Sequence, residues 1–376
     1  MTLLETVFDP YNYPFWILIS AVLAGAIAVI SRPFSTYAKF VYPNAKFEAI
    51  GNPYLTEKEL NKLVESKNLD GFIDLLNTNK DYTIDGKNTL EIQKSLDDNF
   101  IQTVQTMKKD SSNKMKDFYE TYLEKFDIYL IKNVLKDKIQ NKEINKNILD
   151  KAVLDSTKKL LLKIIEVEKS KMPQLLKENG FPENIIDMLS EEKIDFLKFD
   201  TEIDKFVIDK FKQIQLPYKC ENGKKKFINY LIDTLNIKNI LRSKQIGYGE
   251  DTCKKLFLGE GQEIATWKYN ELSESESVSQ VISSLQGTSY YDALKNAIED
   301  YNKEGSVQVL ENALDVNFIK LVKDVSIENY VTIGPTLRFI VSKEFEIRNL
   351  KVIVKGISEN LSSEVIKKLL ILEASG

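Results

Sequence analysis

Three glycine-bearing stretches and several acid pairs are the places where this sequence could hold a phosphate or move a proton. Gly247-x-Gly249 and Gly259-x-Gly261 supply the first two glycines of a dinucleotide loop, where bare backbone approaches a pyrophosphate. The third glycine is replaced by Thr252 in one and Ile264 in the other. Gly86-Lys87 resembles the end of a phosphate-cradling loop, but Asp81 stands in place of its first glycine and Asn88 in place of its Ser or Thr. All three are expected to be turns. Glu191-Glu192 and Asp97-Asp98 carry the groups for acid–base work or for holding a divalent ion. Nothing in their spacing makes them converge, so they are expected on solvated helix surface. The chain has no histidine, which removes the commonest general base, the usual serine triad and most zinc sites. Cys220 and Cys253 are too few for a metal knuckle or a disulfide framework and are expected to be reduced structural thiols. The inventory predicts no catalytic residue, cofactor, metal or small-molecule substrate.

The 376 residues suffice for two or three compact units. Apolar residues make up 43% and charged residues 29%, an ordinary balance for a folded soluble body. Its 52 basic and 56 acidic residues leave a net charge of −4, and the longest basic run is KKK at 224–226. Nucleic acid, which demands a concentrated positive surface, is not an expected partner.

From Pro10 to Ser31 there are 22 residues without a charge, enough helix to cross a bilayer core of roughly 30 Å. Tyr11, Tyr13 and Trp16 lie at one end and Phe34 and Tyr37 at the other, where interfaces favour amphipathic rings. This reads as a membrane span rather than a buried core helix. A cleaved signal fits less well, because residues 1–9 hold Glu5 and Asp9 and no base. The first bases are Arg32, Lys39 and Lys46, which puts the body on the cytoplasmic side.

From Thr56 onward the pattern is helical. Thr56 with Glu59 forms a capping box, and 151–178 places Leu, Ile and Val at three- and four-residue steps. YVTI at 330–333 stops at Gly334-Pro335 and reads as a turn; SESESVS at 273–279 reads as a solvated loop or helix entry. A short motif occurs three times: Ile131-Lys132-Asn133, Ile237-Lys238-Asn239 and Ile347-Arg348-Asn349. Upstream stand Leu96-Asp97 with Phe100, Ile203-Asp204 with Phe206, and Leu314-Asp315 with Phe318. Phe-to-Asn gaps of 33, 33 and 31 residues, with the asparagines 106 and 110 apart, predict a threefold repeat. The period exceeds that of stacked solenoids and suits a small helical bundle. Boundaries are expected at 1–38 for the apolar segment, with its span at about 10–31, then 39–150, 151–258 and 259–376. Ile228, Ile232, Leu235 and Asn239 share one face, so the asparagines are expected as helix-packing positions bonded to backbone.

The runs GPTLRFIVSKEFEIRNLKVIVKG, INYLIDTLNIKNILRSKQIG and FVYPNAKFEAI resemble the C subunit of archaeal A-type ATP synthases, itself similar to the d subunit of vacuolar (V-type) ATPases. The resemblance covers residues 40–376, most specifically Lys343-Glu344-x-Glu346-x-x-Asn349-Leu350. It implies an all-α, non-catalytic body: three quasi-equivalent bundles forming a funnel with pseudo-threefold symmetry, seated on the membrane proteolipid ring and receiving the foot of the central shaft. It implies one motif copy per bundle, with Asn133, Asn239 and Asn349 equivalent. Lys132, Lys238, Arg348, Glu344 and Glu346 then become candidate interface contacts. Members of that family commonly begin near Tyr42, so the apolar segment needs its own explanation. A rotor component tethered outside the ring would collide with the stator, which makes the central hole the expected place for Pro14–Ile30. The alternative to a rotor component is a membrane-anchored helical scaffold or tether.

Overall fold

The computed structural model describes residues 9, 11–49, 55–191 and 193–372. Glu192 of the Glu191-Glu192 pair lies outside them. The described residues form helices and the turns that join them, with no strand. In chain order the α-helices are α1 (Tyr13–Ala49), α2 (Glu57–Val64), α3 (Leu69–Leu76), α4 (Thr89–Asp110), α5 (Lys116–Ile139), α6 (Asp155–Glu166), α7 (Met172–Glu178), α8 (Glu183–Met188) and α9 (Phe196–Gln213). They continue with α10 (Glu221–Gln245), α11 (Glu250–Lys254), α12 (Thr266–Glu274), α13 (Val278–Ser284), α14 (Tyr291–Glu304), α15 (Gln308–Glu328), α16 (Gly334–Ser358) and α17 (Ser363–Leu369).

Local chemistry sets most of these boundaries. Thr56 and Glu59 cap α2 reciprocally. Asn88 accepts the amides of Leu90 and Glu91 to start α4, and Asp195 accepts those of Leu197 and Lys198 to start α9. The stretch 151–178 is not one helix: Pro173 lies in the first turn of α7, and the chain breaks around Val167 and Glu168. Pro173 lacks the amide that a continuous helix would bond to the Lys169 carbonyl, so it sits in the first turn of a new helix, where no such amide is needed. YVTI is a turn leading into α16. A Cβ on Gly334 would stand 2.3 Å from the Ser326 carbonyl oxygen, so only glycine allows that turn to close. Ser277 caps α13, as a helix entry should, but Ser273 and Ser275 are buried rather than solvated.

Six long helices form three hairpins, α4–α5, α9–α10 and α15–α16. Each helix packs on the next in the order α4, α5, α9, α10, α15, α16, and α16 packs back on α4, closing the circuit. The three tips are at 111–115, 214–220 and 329–333, and an aromatic chain runs through the interior. Phe118, Phe211, Phe227 and Phe318 stand 6.1, 6.3 and 6.0 Å apart in succession, in edge-to-face and tilted contacts drawn from all three hairpins.

The apolar part of α1 projects from this body. Its most apolar window has a mean hydropathy of 2.2 and is 0% buried, so it is not a core helix. It is long and apolar enough to cross a membrane. The other half of α1 is docked at the tips. Asn44 donates to the carbonyls of Tyr330 and Thr332, the Arg32 guanidinium lies 4.4 Å from the Tyr218 ring centre, and Lys46 pairs with Asp110. Phe47 stacks on Phe339 at 5.0 Å. Thus α1 touches all three hairpins where they turn.

Candidate functional site: the charged seams

Four of the six long helices carry two like charges four residues apart and therefore on one face, acids on first helices and bases on second. Asp200 and Asp204 lie on α9, Glu311 and Asp315 on α15; Lys132 and Lys136 lie on α5, Lys238 and Arg242 on α10. The circuit thus alternates in sign, and the charges meet at its seams. Between α5 and α9, Lys136 bonds Asp200 at 2.8 Å and Lys132 approaches it at 3.6 Å. Burial pushes the Asp204 carboxyl up, against the pull of Lys132 and the Tyr129 hydroxyl. Between α10 and α15, Arg242 grips Glu311 with two bonds of 2.5 and 2.7 Å, and Lys238 bonds Asp315 at 2.5 Å. The planar guanidinium fork matches a carboxylate better than an ammonium does.

The third seam, between α16 and α4, differs. Its upper rung is Val352 with Gln93 in place of base and acid, leaving the Lys351–Asp97 pair. Arg348 turns instead to Asp315 of its own hairpin, at 2.8 Å, and its side chain is 45% exposed. One turn nearer the tips, Glu344 accepts two bonds from Lys125, at 2.9 and 2.6 Å, and one from the Tyr122 hydroxyl, joining α16 to α5.

The asparagine motif belongs to a second set of contacts, in which the later helix of a hairpin pins the irregular chain beside it. On α10, Asn239 donates to the Leu256 carbonyl at 3.4 Å, while Asn236 accepts from Leu258 at 2.9 Å and donates to Gly259 at 3.0 Å. Asp233 accepts three amides, those of Gln262, Glu263 and Ile264, plus the Tyr290 hydroxyl. A Cβ on Gly261 would stand 1.8 Å from the Asp233 oxygen, which explains that glycine without a nucleotide. Gly247, at φ +79°, follows the end of α10. On α16, Asn349 exchanges bonds of 2.6 and 2.8 Å with the Ile371 backbone.

Several expected placements need correction. Asn133 is exposed; the pinning residue on α5 is Asp127, which accepts Val153 and Leu154 at 2.7 and 2.9 Å. Asp127 and Asp233 are 106 residues apart, the same spacing as Asn133 and Asn239, so the signal was present one and a half turns earlier. Phe100 and Phe318 are buried, four residues after Leu96 and Leu314. The matching position on α9 is Val207, buried to 2% exposure, and Phe206 sits one step round the helix against Phe181 at 5.4 Å. Glu346 is interior: it accepts the Leu55 amide at 2.5 Å, Lys343 at 2.7 Å and the Tyr82 hydroxyl, leaving nothing for a partner. Lys238 is likewise buried in its seam. Cys220 and Cys253 are buried free thiols, and burial pushes Cys220 up to about 12, far from the reactive thiolate.

A closed circuit of helical hairpins tied by ionic seams, with an apolar helix of membrane length projecting from it, defines an all-α body. The chain belongs to the ATP synthase (C/AC39) subunit family, whose model matches residues 43–369. Curated relatives agree. The A-type ATP synthase C subunit of Methanocaldococcus jannaschii is 28% identical over 366 residues, covering 92% of this chain and 89% of the relative. That of Pyrococcus horikoshii is 28% identical over 341 residues, covering 89% and 90%. Its counterpart in Methanosphaera stadtmanae is 26% identical over 375 residues and covers 94% of both chains. Coverage of that extent carries the match ahead of Tyr42 into α1, so this relative does not begin where the body begins.

Proposed function

We propose that this chain is a non-catalytic central-stalk component of an A-type ATP synthase, lying on the cytoplasmic face of the membrane. It links the central shaft to the proteolipid ring and so couples ion translocation to ATP synthesis carried out elsewhere in the complex. The observation that carries the reading is the family match across 43–369, on a body whose helices close into one circuit. Close-packed helices transmit strain with little compression, which suits a part that passes torque.

The polarity of the body supports an orientation. The tips, docked on α1, face the membrane and the ring. The opposite end, where the charged seams reach the surface around Arg242 and Arg348, receives the shaft in a funnel-shaped socket of three quasi-equivalent bundles. Because α1 contacts all three hairpins, it leaves close to their common axis, which favours the ring's central hole for Pro14–Ile30.

Affinity capture from solubilised membranes tests the assignment: the chain should bring down shaft and proteolipid proteins together. Capture of neither under conditions that keep the complex intact refutes it. Deleting the protein should leave nucleotide turnover by the soluble head while uncoupling it from ion movement, and the pure chain should hydrolyse no ATP.

A further inference from the structure

Beside the base of α1 is a cavity of about 580 Å³ whose lining includes Arg32 and Lys39 of α1, Lys114 from the first hairpin tip, and Tyr218, Lys219 and Glu221 from the second. Four cations therefore face one carboxylate, in a chain whose net charge is −4. That carboxylate is already engaged, accepting the Leu216 amide at 3.0 Å and pairing with Lys224 at 2.8 Å. None of the four cations forms an ion pair among the described residues.

The backbone and ring contacts at the cavity are specific. Lys219 is held at φ +70°, a left-handed conformation that costs a lysine free energy. The Tyr218 ring lies under both the Arg32 guanidinium, at 4.4 Å, and the Lys219 ammonium, at 5.9 Å.

The depth of the cavity follows from the helix that lines it. Tyr13 to Ile30 rises about 27 Å at 1.5 Å per residue, close to the thickness of a bilayer core. Arg32 comes two residues later and Lys39 about 10 Å beyond it. The cavity thus opens at the level of the headgroups on the basic side of the span.

We propose that this cavity binds the phosphate headgroup of an anionic membrane lipid, clamped between α1 and the first two hairpin tips by Arg32, Lys39, Lys114 and Lys219. The site rests on α1 crossing the bilayer and not on the rotor assignment, whose own test is co-capture of shaft and ring.

The test is native mass spectrometry of the full chain reconstituted into nanodiscs of phosphatidylcholine with or without phosphatidylglycerol, compared with the Lys39→Gln, Lys114→Gln, Lys219→Asn triple variant. Asparagine tolerates the left-handed backbone at 219, and circular dichroism checks that the variant is folded. The wild type should retain phosphatidylglycerol over phosphatidylcholine by about tenfold or more, and the variant should lose that preference, as removing three cations from an anionic surface predicts. Inorganic phosphate should not displace the lipid. Equal retention of both lipids, unchanged preference in the variant, or displacement by inorganic phosphate alone would each overturn the proposal.

Discussion

At the scale of single residues, buried charge decides where substitution hurts. Asp315 takes bonds from both Lys238 and Arg348 and is itself 7% exposed. Asp315→Asn should strand a buried lysine and cost about 3 kcal/mol in denaturant unfolding. Asp97→Asn, at a pair in which both side chains are 32% exposed, should cost under about 1 kcal/mol. Asp233 makes a pH prediction. Burial pushes its carboxyl up to about 6 despite its three amide donors, against about 3.9 in the unfolded chain. The folded state therefore holds the extra proton between those values, and stability from this site falls as pH rises through that window. Comparing the thermal unfolding of wild type and Asp233→Asn at pH 7 and pH 5 checks it: the wild type should gain on the variant at the lower pH. Residue roles were the least legible part of the sequence. The Ile-Lys-Asn repeat announced buried amides at Asn239 and Asn349 but failed at Asn133, although Asp127, Lys132 and Lys136 all stand 106 residues before Asp233, Lys238 and Arg242, because a short match places a residue on a helix face without saying which chain packs there.

At the scale of elements, the sequence was clearer where a rule has one cause. The capping box at Thr56 and the uncharged run through Ile30 each name their structure without help from distant residues. The stretch 151–178 misled because apolar periodicity continues through Pro173, and periodicity says nothing about a missing amide. The two landmarks of each repeat fall on the two helices of one hairpin, though Phe206 marks the wrong residue of α9, and the seams between hairpins were invisible because their partners are 64 to 77 residues apart in the first two and 254 apart in the third. The apolar half of α1 makes no contact that would hold it to the body. A chain lacking residues 1–31 should therefore leave the membrane fraction as a folded, soluble species when expressed alone. Sedimentation and circular dichroism would show it, and a truncated chain that still pellets with membranes would count against α1 as the anchor.

At the scale of the whole molecule, three similar hairpins must find the right neighbours. Alternating charge tells a first helix to sit beside a second helix, but by itself it would accept any first helix against any second. Gln93 and Val352 remove that ambiguity. Setting the seam face of α4 against that of α10 would leave Arg242 facing an amide instead of Glu311, forfeiting its two-bond grip on that carboxylate. The uncharged rung thus works as an address, telling the two ends of the chain to meet each other and nobody else. Writing the missing charges in, with Gln93→Glu and Val352→Arg, should keep the native circuit intact yet erase its unique solution, and refolding yield should drop as swapped and intermolecular pairings compete.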